Sequence, residues 1–334
     1  MKNGKVLFTL FASVLFTVGC KKSESSTEAE PDLTKSEWAL QSSGTTESLK
    51  GVHFVDVNNG WAVGGNGTII RTTNGGASWT AQTSTTLQWL YDVRFVDGNT
   101  GWAVGSGGSI FKTSNGGTLW TSQSSGTAQR LTSVFCTDAN TAWAVGDSGK
   151  VFKTTNGGTL WTSQTSGASL DLESVRFVDA SNGWAVGGGG STALILRTTN
   201  GGSTWTTQAN SGSQRLWSVF FINSTTGWVV GPLNTMLKTT NGGTNWSPLT
   251  SGTDNLLTSV HFTDANTGWA VGVFGTIRKT TDGGATWASQ PNGITGTNTD
   301  LHYTFYNYES VFFIDSNIGW AVSDAGAIMK RTPG

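Results

Sequence analysis

The residues equipped for acid–base or nucleophilic work are few, and they fall at matching places in a repeating chain. Tyr91 with Asp92, Arg130, Glu173, Arg215 and Glu309 all lie at or near the start of one repeated segment. Paired carboxylates with a tyrosine nucleophile and a guanidinium clamp are the equipment of glycoside hydrolysis. Only two arginines converge here, and no nucleophile motif or phosphate-binding loop accompanies them. His53, His261 and His302 share no ligand spacing, and the first two occupy the same repeat slot, so neither a metal nor another cofactor is expected. With 12% charged residues and a formal net charge of −1, a polybasic nucleic-acid binder is excluded.

The elements that must position these residues are set by a period. Gly-Trp-Ala-Val-Gly recurs with small edits around Trp61, Trp102, Trp143, Trp184, Trp228, Trp269 and Trp320, mostly at intervals of 41 residues. A second series, Trp79, Trp120, Trp161, Trp205, Trp246 and Trp287, keeps the same beat, and Trp38 lies one period before Trp79. Of the 16 tryptophans, only Trp89 and Trp217 stand outside the two series. Within one repeat, Leu90 to Asp97 alternates as a strand A, Gly101 to Gly105 forms strand B, Ser109 to Thr113 strand C and Trp120 to Gln123 strand D. Asn115-Gly116 predicts a type I′ hairpin between C and D. Four short antiparallel strands per repeat, seven times over, predict an all-β, seven-bladed β-propeller. The seventh repeat ends before a fourth strand, so the Trp38 segment is expected to supply it and remove an exposed edge.

Two motifs carry a resemblance. Thr72-Thr73-Asn74-Gly75-Gly76-Ala77-Ser78-Trp79 is similar to the Asp-box of sialidases and related propellers, and Thr280-Thr281-Asp282-Gly283-Gly284-Ala285-Thr286-Trp287 has the aspartate itself. Joined to Gly-Trp-Ala-Val-Gly, the pair resembles the photosystem II stability and assembly factor family over about the whole of 37–334. That resemblance implies a non-enzymatic propeller that binds a protein subunit during assembly of a membrane complex. It leaves the client open. The alternative is a glycan-binding propeller, with or without sialidase-like hydrolysis. Asp-box glycosidases clamp their substrate with three arginines, and here only Arg130 and Arg215 converge.

The N-terminal 1–19 read as a signal peptide, with Lys2 and Lys5 before an apolar stretch from Val6 to Val18. Gly19-Cys20 at its end resembles a bacterial lipoprotein signal, which implies lipidation of Cys20; an ordinary signal with an incidental cysteine is the alternative. Residues 20–36 read as a flexible tether. The expectation is a monomer, lipid-anchored in a bacterial cell envelope, on the outer membrane if there is one, because Lys21 rather than Asp follows Cys20. Cys136 fills a slot that other repeats give to Phe54, Phe95, Phe177, Phe221, Phe262 and Phe313, and reads as a small buried hydrophobe.

Function is expected where repeats differ. Just before strand A come Ser48, Trp89, Arg130, Asp171, Arg215, Leu256 and Asn307; two positions on come Lys50, Tyr91, Thr132, Glu173, Trp217, Thr258 and Glu309. The B–C turns add Leu233 and Phe274, and a long connection into the seventh repeat adds Tyr303, Phe305 and Tyr306. These predict a partner-binding surface at Trp89, Tyr91, Arg130, Arg215, Trp217, Leu233, Phe274, Tyr303, Phe305 and Tyr306. The plain alternatives are wedge packing for the two tryptophans and a self-burying plug for the long connection. On the opposite face, Asp56/Arg71, Asp97/Lys112 and their counterparts predict either a ring of charge pairs or Asx-type turn caps. Asp97→Asn should therefore lower stability by no more than about 1 kcal/mol in chemical denaturation; complete loss of folding would refute a surface role.

Overall fold

The computed structural model describes residues 37–208, 214–292 and 306–333. Seven four-stranded antiparallel sheets form, six of them built in sequence order from A at the channel to D at the rim. Strands A are Leu49–Phe54, Leu90–Phe95, Leu131–Cys136, Asp171–Phe177, Ser218–Phe221, Leu257–Phe262 and Tyr308–Phe313. The seventh sheet is closed by the N-terminal strand Trp38–Gln41, which pairs antiparallel with Ile328–Arg331. Arg331, itself buried, reaches the Glu37 carboxylate and donates to the carbonyls of Ser316 and Asn317 at 2.8 Å. This seal was expected from the register of Trp38.

Strand B is buried along its whole length in six repeats, and in the fourth up to Gly188, because a neighbouring blade covers each of its faces. The core is accordingly seven clusters, each spanning two adjacent blades. In six of them the common unit is an indole of strand B lying flat on the strand A phenylalanine of the next blade. Trp61 on Phe95 has centroids 3.5 Å apart, and Trp184 on Phe221 has them 3.6 Å apart. The strand D tryptophan meets the same phenyl ring edge-on, as Trp120 does at 5.7 Å from Phe95. Trp38 plays that part for Phe313, also at 5.7 Å.

The turn chemistry departs from the sequence expectation. Only Gly116 (φ 70°) and Gly117 (φ 94°) take left-handed backbone, whereas Asn115 does not, and the last paired residues are Lys112 and Thr121. The connection is therefore a longer loop, not a two-residue type I′ hairpin. Asn115 spends its side chain on it: Oδ1 accepts the Leu119 amide at 2.9 Å, while Thr113 Oγ1 accepts the Gly117 amide, also at 2.9 Å. The fourth blade, whose repeat is longer than 41 residues, extends its B and C strands by the pairs Gly187↔Leu194, Gly188↔Ala193 and Gly189↔Thr192.

Of the two readings for the repeated acid–base pair, the turn cap holds and the charge pair does not. Asp97 Oδ1 accepts the amides of Asn99 and Thr100 at 2.7 Å each, and Asn223 does the same for Thr225 and Thr226. The basic partner instead lies over the tryptophan of its own strand B, Lys112 at 4.7 Å from the Trp102 ring. Its ammonium donates to the carbonyl of Gly157 in the next blade at 2.9 Å.

Cys136 is buried as expected, and burial pushes its thiol pKa up to about 12, so it stays a neutral hydrophobe. Its strand partner explains the exception. Elsewhere the phenylalanine ring lies over a glycine, as Phe54 does over Gly60, so closely that a Cβ there would enter the ring. In the third blade that glycine is Ala142, paired with Cys136. Cys136→Phe alone should cost about 1–3 kcal/mol by overpacking, and Ala142→Gly alone about 0.5–1 kcal/mol. Together they should rebuild the stack, with a favourable coupling of about 0.5–3 kcal/mol in a urea double-mutant cycle; simple additivity would show that the two positions are independent.

Candidate functional site

Every strand A except that of the fifth blade begins with a break in register against strand B. Leu90 pairs with Gly105 and Asp92 with Val104, so Tyr91 is left unpaired between them. The same bulge frees Lys50, Thr132, Glu173, Thr258 and Glu309. In the fifth blade Trp217 stands just outside the strand, its amide bonded to the Val230 carbonyl. A bulge turns one side chain away from the alternating pattern. Here it turns one residue per blade toward the channel mouth, where all seven line a cavity of about 390 Å³.

The seven are not equivalent. Thr132 Oγ1 donates within reach of the carbonyls of Leu172 (2.7 Å) and Val145 (3.1 Å), and Thr258 reaches those of Tyr308 (2.6 Å) and Val271 (3.1 Å). These two hold blades together. Lys50 pairs with Glu309 at 2.6 Å across the join of the first and seventh blades. Tyr91 and Trp217 are left as the aromatic lining.

The charged residues form one network. Arg130 bonds Asp147 through Nε and Nη2, at 3.0 and 2.8 Å, and reaches Glu173 at 3.4 Å. Arg215 contacts Asp171 at 3.2 Å and shares the Glu173 carboxylate. Burial alone would lower the Arg130 pKa; the bonded Asp147 carboxylate outweighs that and raises it. Both arginines that might clamp a substrate carboxylate are thus already engaged. Asp92 is not at the mouth: it lies one residue further down the channel, where Oδ2 accepts the Val134 amide at 3.0 Å and the Ser133 hydroxyl at 2.9 Å.

The remaining predicted residues divide. Trp89 is 40% exposed beside the mouth, offset-stacked on Tyr91 with the Lys50 ammonium 5.7 Å from its ring. Neither Trp89 nor Trp217 enters an inter-blade cluster, although the Trp89 indole does lie against Gly65 of the first blade. Leu233 and Phe274 are 66% and 60% exposed on their B–C turns, and Phe274 directly follows Val273 of the cavity lining. Tyr306 is half-buried against the cluster of Trp38, Trp269 and Tyr308 and is not among the residues lining the mouth cavity. Cys20, Tyr303 and Phe305 lie outside the described residues. Among the described residues no group of three His, Cys, Asp or Glu side chains is placed to hold a metal, and no helix is long and apolar enough to cross a membrane.

This geometry has relatives. The sequence profile of the photosynthesis system II assembly factor YCF48 family matches residues 30–169 and 164–254. The chain belongs to that family. A structure described as YCF48 bound to D1 peptide superposes with a TM-score of 0.74 at 20% identity, over 90% of this chain and 98% of that one. YCF48 from Cyanidioschyzon merolae gives 0.72 at 23% identity, over 89% and 98%. The GH74 enzyme of Niastella koreensis gives 0.68 at 17% identity, over 88% of this chain and 53% of its own. At these identities the structural matches speak for the fold alone. No curated protein matches the sequence.

Glu173 is the hub of the mouth network, yet each arginine keeps a second carboxylate without it. Glu173→Gln should therefore lower stability by about 1 kcal/mol or less in urea. A loss several times larger would mean that the network holds the ring closed.

Proposed function

We propose that this YCF48-family propeller is a non-enzymatic assembly scaffold, anchored through a lipid on Cys20 in a bacterial cell envelope, and that its channel mouth receives a segment of a client protein. One observation carries the reading. Leu233 (φ 50°) and Phe274 (φ 55°) hold large exposed apolar side chains in left-handed backbone. Equivalent turns use Asn66, Gly107 and Ser148, residues suited to that conformation. A large side chain there costs about 1–2 kcal/mol. Exposed apolar residues kept in place at such a cost, beside a cavity lined by the residues in which the blades differ, are the marks of a contact surface.

The family supports the protein-binding reading, because the structure described as YCF48 bound to D1 peptide is that of a relative with this fold. The client here need not be the same. Against the glycan-hydrolase alternative stands the engagement of Arg130 and Arg215 with Asp147, Asp171 and Glu173.

The test uses crosslinking and pulldown from native membranes. Phe274→Asn and Leu233→Asn suit left-handed backbone and should raise stability by about 0.5–1 kcal/mol, while specific client capture falls. Cys20→Ser should release the protein from the membrane fraction. Unchanged capture by both turn variants would overturn the mouth as the client site, and membrane retention of Cys20→Ser would overturn the anchor.

A further inference from the structure

Beneath the mouth the channel narrows to a separate cavity of about 100 Å³ that the client reading does not use. Strands A supply its wall in two layers. The upper holds Asp92 and a run of serines, and the lower holds Arg94, Phe135, Arg176, Phe220, His261 and Phe312. The Arg94 guanidinium lies 4.8 Å from the Phe135 ring, and that of Arg176 lies 5.2 Å from the same ring and 4.3 Å from Phe220. Two guanidiniums therefore flank one phenyl ring in a confined space.

Neither is in direct contact with a counter-ion, although the charge of Asp92 acts on Arg94. Among the described residues, neither Arg94 nor Arg176 makes an ion pair or a hydrogen bond, and Arg176 Nε is buried without a partner, as is His261 Nδ1. The one carboxylate facing the cavity is committed elsewhere: Asp92 accepts the Val93 amide at 2.9 Å, the Val134 amide and the Ser133 hydroxyl. Burial, and then the field of Arg94, pulls the Arg176 pKa well below its ordinary value. Arginine nonetheless keeps its proton in proteins, so this strain persists until an anion relieves it.

The other groups are donors. Ser174, Ser218 and Ser259 each accept an amide of the next blade, from Val219, Val260 and Val311, and each retains its own O–H to give. His53 accepts the Phe95 amide at Nδ1, which places its proton on Nε2. Burial first, then the two arginines, lowers the pKa of both His53 and His261 well below the usual histidine value, so both are neutral.

We propose that this lower cavity binds a small free tetrahedral oxyanion of the phosphate or sulfate class, held between Arg94 and Arg176. The space is large enough to admit one such ion. Paired guanidiniums are well matched to such an ion, because each presents a planar fork of donors to its oxygens.

The full chain is titrated with inorganic phosphate and with sulfate, against chloride at matched ionic strength, by calorimetry and thermal unfolding. Wild type should show saturable heat and a saturable rise in Tm with the oxyanions, and Arg176→Gln should bind roughly 30-fold more weakly or not at all. An equal response to chloride, or an Arg176→Gln titration like that of wild type, would overturn the proposal. Should that variant not fold, wild-type crystals soaked in selenate decide the matter: an anomalous peak between Arg94 and Arg176 supports the site, and its absence overturns it.

Discussion

The ring depends on one contact made between neighbours, the face-to-face stack of a strand B indole on the next blade's strand A phenyl. It repeats at six of the seven junctions with centroids 3.5–3.8 Å apart. Where geometry permits, the same indole N–H donates to a glycine carbonyl in the next blade's C–D turn, as Trp61 does to Gly116 at 3.0 Å. One side chain thus joins core to core and core to turn. No blade holds both halves of the stack, so stability arises only when neighbours meet, and the last junction must close. That is why a strand from the N-terminus carries a tryptophan to Phe313.

The two exceptions follow from the same geometry. Trp102 and Trp269 keep buried indole nitrogens without a partner. Trp269 faces the seventh blade, whose fourth strand arrives from the other end of the chain with no Asn-Gly-Gly turn before it. Trp102 faces the blade in which Cys136 and Ala142 replace phenylalanine and glycine. The exchange is compensated: Ala142 brings a methyl group into the space that the missing ring would occupy. A buried cysteine there is better explained by its strand neighbour than by any thiol chemistry.

Much of this was legible in the sequence because the repeat multiplies each signal seven times. Blade number, the closing strand, Cys136 as a hydrophobe and the ring at the mouth all follow from residues in register. What the repeat could not reveal was local. Asn-Gly read as a short hairpin because the dipeptide is its common signal, while the backbone uses the second glycine and spends the asparagine side chain on amides four residues on. The Asp/Lys series left charge pairs and turn caps both open, because facing positions allow either; the carboxylate caps its own turn and the ammonium goes to an indole and a carbonyl. Asp92 was grouped with the mouth because alternation counts residues and cannot see a bulge. Arg94 and Arg176 were missed for a similar reason: a lone cation in a strand looks solvated until the channel places it beside another.

The bulge also lets a rigid ring carry a variable site. Inward of it, strand A is held by the alternation that buries Val52, Val93 and their counterparts between blades. At the bulge the backbone satisfies itself through its neighbours, and the threonines of two blades reinforce it, so side chains there are free of packing demands. Lys50, Tyr91, Glu173, Trp217 and Glu309 can differ without disturbing a stack. The B–C turns carry the same logic further, since Leu233 and Phe274 are exposed and their backbone would favour asparagine or glycine. A fold made of repeats tends toward the residue each slot prefers. Departures that cost stability, gathered around one cavity, are therefore better evidence for a working surface than any repeated motif in the chain.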